Sequence, residues 1–74
     1  GQPIGTGDAL KGTRDVHFGE TGFAPCKVYD RYALKPGDSF DGPAVVEERE
    51  STTVIGPGAQ VSVDMYHNLI IDLP

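Results

Sequence analysis

The chain has one Cys, one Met and no Trp among its 74 residues, and only six Lys and Arg against eleven Asp and Glu. Each shortage excludes something. A single Cys cannot build the disulfide framework that many small secreted domains depend on, and it suits a reducing compartment. A cytoplasmic location is the expectation that follows. A net charge of −5 leaves few cations to neutralise phosphates, so nucleic-acid binding is not expected. The same balance disfavours an anionic membrane surface. No apolar run exceeds three residues, as in Ala44-Val45-Val46 and Leu69-Ile70-Ile71, whereas a membrane-spanning helix needs roughly 20. No basic segment followed by an apolar one marks a secretory signal. A chain this short makes one domain near the lower limit for a self-supporting core, so every apolar strand matters.

What the sequence has in abundance is turn chemistry, with ten Gly and six Pro. Residues 1–13 carry Gly1, Pro3, Gly5, Gly7 and Gly12, with only Ile4, Ala9 and Leu10 to bury. They read as a flexible linker, and a β-domain is expected over residues 14–74. Val16 and Phe18 alternate with polar neighbours in Arg14-Asp15-Val16-His17-Phe18. A hairpin loop at Gly19-Glu20-Thr21-Gly22 follows, and Phe23 to Asp30 resumes the strand. Period-two spacing puts Cys26 and Val28 on one face, with Lys27 and Tyr29 on the other. Arg31-Tyr32-Ala33-Leu34 reads as one helical turn, stopped by a type II turn at Lys35-Pro36-Gly37-Asp38.

The β-branched segments Ala44 to Glu48 and Thr52 to Ile55 read as strands joined by a charged turn. After Gly56-Pro57-Gly58, the alternation of Ala59, Val61 and Val63 predicts another strand with one buried face. Met65-Tyr66-His67-Asn68 turns the chain into Leu69-Ile70-Ile71-Asp72-Leu73, which reads as a buried strand. No window sustains a 3.6-residue apolar period. The predicted fold is all-β, a small antiparallel barrel or sandwich of about six short strands. Two Pro-Gly turns, each preceded by two apolar residues and a spacer, hint at paired hairpin units that would suit closure.

The residues that carry chemistry are few. His17, His67 and Cys26 match no metal-ligand spacing, so no metal site is expected. A Cys26–His17 nucleophilic pair requires hairpin partners and a depressed thiol pKa. The competing reading is a buried Cys packing as a small apolar group. Glu47 and Glu48 offer paired carboxylates for acid–base work, but Arg49 and Glu50 beside them favour a solvated turn. Gly5-Thr6-Gly7 lacks the helix and Lys of a phosphate-binding loop. No catalytic, cofactor-binding or metal-binding residue is therefore assigned. Two exposed turns are the candidate interaction surface: Glu48, Arg49, Glu50 and Ser51, and Tyr66, His67 and Asn68.

Two likenesses bear on function. Pro36-Gly37-Asp38, then Gly42 and an apolar strand ending in Glu, looks like half of a biotinyl- or lipoyl-type carrier domain. Such carriers need a Lys at the hairpin tip, and the comparable turn here has Arg49, which cannot form the amide. A more specific likeness runs through Val28-Tyr29-Asp30-Arg31, Leu34-Lys35-Pro36-Gly37 and Gly42-Pro43-Ala44-Val45-Val46-Glu47-Glu48. It continues through Ser51-Thr52-Thr53-Val54, Pro57-Gly58 and Asn68-Leu69-Ile70-Ile71. In this order the segments resemble the C-terminal region of the hydantoinase A/5-oxoprolinase family. That family includes N-methylhydantoinase subunits and the related acetone and acetophenone carboxylase subunits. The strand at residues 14–18 fits the one that often precedes this region. One departure is His67, where a Gly commonly precedes the Asn.

The resemblance implies a large cytoplasmic ATP-dependent parent, acting on small cyclic amides or imides or on ketones. It also implies a hydantoinase B-type partner subunit, and ATP with a divalent metal in an N-terminal region that this sequence does not include. The chain opens without Met and stops just after an apolar run, so a piece of something longer is expected. The expected role is a non-catalytic accessory domain. The alternative is a free-standing β-barrel module for ligand binding or protein interaction.

Overall fold

The computed structural model describes Gly5, residues 7–19 and residues 22–74. Seven strands are present among the described residues: β1 (Leu10–His17), β2 (Phe23–Asp30), β3 (Ser39–Asp41), β4 (Ala44–Glu47), β5 (Thr52–Ile55), β6 (Gln60–Val63) and β7 (Leu69–Asp72). They form two sheets, a four-stranded one in the order β1-β2-β4-β5 and a three-stranded one in the order β3-β6-β7. The architecture is sandwich-like and is not a closed barrel.

Both Pro-Gly segments are turns, and both carry the chain from the first sheet to the second. Asp38 N–H donates to Lys35 O at 3.0 Å around Gly37, whose φ is 93°. Ala59 N–H donates to Gly56 O at 3.3 Å around Gly58, whose φ is 85°. A positive φ at the third turn position is where Gly removes the steric penalty of a Cβ. The first turn leads into β3 and the second into β6, which pair with each other. The repeated turn thus builds a sheet-to-sheet corner instead of closing a barrel.

One ladder departs from the expected antiparallel pattern: β2 and β4 are parallel, with Val28 opposite Val45 and Asp30 opposite Glu47. The connection over residues 31–43 contributes β3 to the other sheet before β4 returns. It therefore acts as the long crossover that parallel strands require. The expected helical turn is a 3-10 turn at Arg31–Ala33, capped by Asp30, whose side chain accepts the Tyr32 N–H at 3.0 Å.

The core lies between the sheets. Tyr29, Leu34, Phe40, Ala44, Val46, Ile55, Ala59, Val61 and Val63 are all buried there. Tyr29 stacks on Phe40 with ring centroids 4.2 Å apart. Burying each large apolar side chain contributes on the order of 1.5–3 kcal/mol before conformational entropy is counted. Cys26, Val28 and Val45 form a second cluster on the opposite face of the first sheet, covered by Val16 and Phe18. The first sheet is therefore apolar on both faces where β2 meets β4. Beyond that ladder, β2 pairs with β1 alone among the described residues, and Phe23 at its start is 73% exposed.

Three boundaries differ from the sequence expectation. β1 starts at Leu10 instead of Arg14, and Ala9 is buried, its carbonyl accepting the Asp30 N–H at 2.8 Å. Part of the expected linker is thus structured, while residues 1–4 and 6 lie outside the described residues, as do Glu20 and Thr21 of the hairpin loop. The short β3 had no strand-like run of its own and gains strand geometry by pairing with β6. β7 is not buried: it is an edge strand, with Ile70 and Ile71 about 40% exposed.

Candidate functional site

The structure brings the two predicted turns to one end of the sandwich, and the residue that joins them is Arg31. Its Nε lies 3.5 Å from Glu48 Oε1, and its Nη2 donates to the His67 carbonyl. Its Nη1 lies 3.4 Å from His67 Nδ1. The His67 ring reaches back through Nε2 to the Leu34 carbonyl. Since a carbonyl only accepts, the proton sits on Nε2 and leaves Nδ1 free to accept from Arg31. Tyr32, next in the 3-10 turn, accepts the Arg49 N–H on its hydroxyl at 3.2 Å. One short turn after β2 therefore fixes both candidate loops.

Around this anchor the surface is open. Glu48, Arg49, Glu50 and Ser51 are exposed, and Glu48 N–H donates to Ser51 O at 2.9 Å to close their hairpin. Met65 and Tyr66 are 76% and 79% exposed, and Tyr32 is 64% exposed. Asn68 is exposed and His67 half-buried. Asp64 shapes the second turn by accepting the N–H of Tyr66 at 2.9 Å and of Asn68 at 2.8 Å. The Asn68 backbone bond, foremost, holds the Asp64 carboxyl below its ordinary value. His67 has φ 67°, the left-handed region in which Gly is the residue that carries no steric penalty.

A groove of about 510 Å³ runs beside the anchor, lined by Lys11, Asp30, Tyr32, Glu47, Arg49 and Thr52 among others. Glu47 is held at 2.8 Å by Lys11 Nζ and at 3.3 Å by Arg14 Nη1. The Lys11 hydrogen bond, chiefly, keeps the Glu47 carboxyl below its ordinary range and raises the lysine in turn. Glu47 and Glu48 each face a cation, and Glu47, drawn down by Lys11, is not poised as a general acid. Sequence reasoning missed Arg31, Tyr32 and Lys11. Their roles depend on contacts to residues 36, 17 and 36 positions away, and no local pattern marks those.

The Cys26–His17 pair does not form. The strands are hairpin partners, but Cys26 sits opposite Arg14 and His17 opposite Phe23. Strand alternation then sends the two side chains to opposite faces. His17 instead makes an edge-on ring contact with Phe23 at 5.0 Å. Cys26 is fully buried, and burial first, with the Asp15 charge second, pushes its thiol pKa up. Among the described residues no group of three His, Cys, Asp or Glu could hold a metal ion. No helix among them is long and apolar enough to cross a membrane.

An uncharacterized protein of Methanocaldococcus jannaschii is 48% identical over 59 residues, covering 80% of this chain. The chain spans 8% of the length of that relative. The family model of the hydantoinase/oxoprolinase C-terminal domain matches residues 2–72. With its two-sheet fold and its Pro-Gly corners, this chain belongs to the hydantoinase/oxoprolinase C-terminal domain family.

Proposed function

We propose that the domain is a non-catalytic accessory element of an ATP-dependent hydantoinase- or oxoprolinase-type subunit. In this reading the parent hydrolyses small cyclic amides or imides in the cytoplasm, or carboxylates ketones. ATP and its divalent metal bind elsewhere in the parent. The domain packs on the ATPase core or on a hydantoinase B-type partner subunit. The observation that carries the reading is the end of the sandwich organised by Arg31. It holds an exposed Tyr, Met and Arg surface on rigid turns, a composition enriched at protein interfaces. The buried Cys26 and the cation-paired Glu47 support a role other than chemistry.

The test combines two measurements. The 74-residue chain should show no ATP hydrolysis and no ring opening, and robust turnover by it would overturn the reading. In the full subunit, Arg49→Glu combined with Tyr66→Ala should weaken retention of the partner subunit or core, with the fold unchanged by circular dichroism.

A further inference from the structure

The fold leaves its second sheet unfinished at β7. In register, Phe40, Val61 and Ile71 form one inward row across β3, β6 and β7. Phe40 and Val61 are 2% and 1% exposed, yet Ile71 is 40% exposed. The facing sheet therefore does not reach far enough to cover the last member of a core row. On the outer face of the same strand, Ile70 is 43% exposed, and Leu73 just beyond is 80% exposed. Apolar surface is thus open on both sides of one edge.

The edges at β1 and β3 are better guarded. β1 carries Lys11, Arg14 and Asp15 and has an irregular register between Leu10 and Gly12. β3 is three residues long and ends in Asp41, before Gly42-Pro43. β5 begins with Thr52 and Thr53, although Val54 on it is half-exposed. Charge, brevity and irregularity are the usual ways an edge is kept from pairing. β5 and β7, each four residues long and regular in register, have little of them. But β5 buries its Ile55 and exposes only Val54, whereas β7 exposes an isoleucine on each face. Asp72 is its only charge.

We infer that β7 receives an added β-strand from the remainder of the subunit polypeptide, a segment apolar on both faces. An edgewise strand covers Ile70 and Ile71 together and pairs the open backbone groups of β7. A helix or flat surface laid on one face would cover only one of the two isoleucines. The occupant is assigned to the parent chain because the matching region is 8% of the M. jannaschii relative, so most of such a protein lies outside this domain. The inference rests on the accessory-domain reading and specifies one of its contacts.

Amide-resolved hydrogen exchange on the full-length subunit tests it. All β7 amides should be protected, including those pointing away from β6, which should exchange at least 10-fold more slowly than the outward amides of the edge strand β1. Ile71→Lys should speed exchange of the outward amides at least 10-fold while leaving β6 unchanged. An alternating pattern in β7, with protection only toward β6, overturns the inference. So does protection that falls on dilution, since that identifies a second copy as the occupant. If no part of the domain surface is protected, the accessory reading fails as well. Protection at residues 65–68 with an alternating β7 removes the strand addition alone. Should Ile71→Lys fail to fold, the wild-type pattern still decides.

Discussion

Arg31 donates to the backbone carbonyl of His67, a residue held at φ 67° where few side chains are comfortable. The contact and the strain belong together. A left-handed residue costs about 1–2 kcal/mol unless it is Gly, and here the ring is tied to Leu34 O and Arg31. The bonds that hold the turn offset the angle it needs.

This pairing separates two substitutions. His67→Ala removes the ring contacts and keeps the strained angle, while His67→Gly removes the same contacts and relieves it. His67→Gly should therefore be the more stable of the two by about 1 kcal/mol in urea unfolding. Equal stabilities would mean that the backbone angle carries no cost.

Arg31→Ala should loosen both turns at once, since its guanidinium touches Glu48 and His67. Amide exchange at residues 48–50 and 65–68 should rise together by about 10-fold or more. A rise confined to one turn would show that Arg31 does not couple them.

Acid should destabilise the domain through Glu47 and Asp64, whose carboxyls lie below their ordinary values of 4.5 and 3.8. A depressed folded pKa means the unfolded chain binds more protons near pH 4. The stabilisation is present above the ordinary values and is lost as pH falls through the folded ones. Glu47→Gln and Asp64→Asn should each lose less melting temperature than the wild type between pH 6 and pH 3. A wild-type slope in both variants would contradict the assignment.

Gly42 permits a close approach that no side chain could. A Cβ there would lie 2.0 Å from the Gly56 carbonyl oxygen, and the Gly42 N–H donates to Ala59 O at 2.8 Å. Gly42→Ala should cost about 3 kcal/mol by denaturant unfolding, because the obstacle is backbone. A loss below about 1 kcal/mol would mean that the corner can relax.

Cys26 should react with a soluble disulfide reagent only as fast as the protein opens. Burial both shields the thiol and raises its pKa. Labelling in urea should be faster by a factor on the order of 1,000 or more, following the opening equilibrium. Fast labelling of the native chain would restore a reactive thiol.

Local chemistry alone determined much of this protein. Alternation at Ala59, Val61 and Val63 specified a buried strand face, and all three are buried. Pro-Gly spacing specified two turns, and both formed. The ordered set of Gly, Pro and strand residues also located the family. These features were legible because each depends on residues within a turn or a strand of one another.

Tertiary structure decided what depends on distant partners. Leu69-Ile70-Ile71 carries the same apolar signal wherever it sits, and only its place at a sheet edge leaves it half open. Ser39 to Asp41 became a strand because β6 supplied a partner. His17 and Cys26 are neighbours in a hairpin, yet register sent them to opposite faces. Arg31 is an unremarkable cation in the sequence. Folding brings it against Glu48 and His67, and the two candidate turns become one surface. Propensity and turn geometry act over a few residues, whereas edges, registers and ion pairs exist only once the chain has closed on itself.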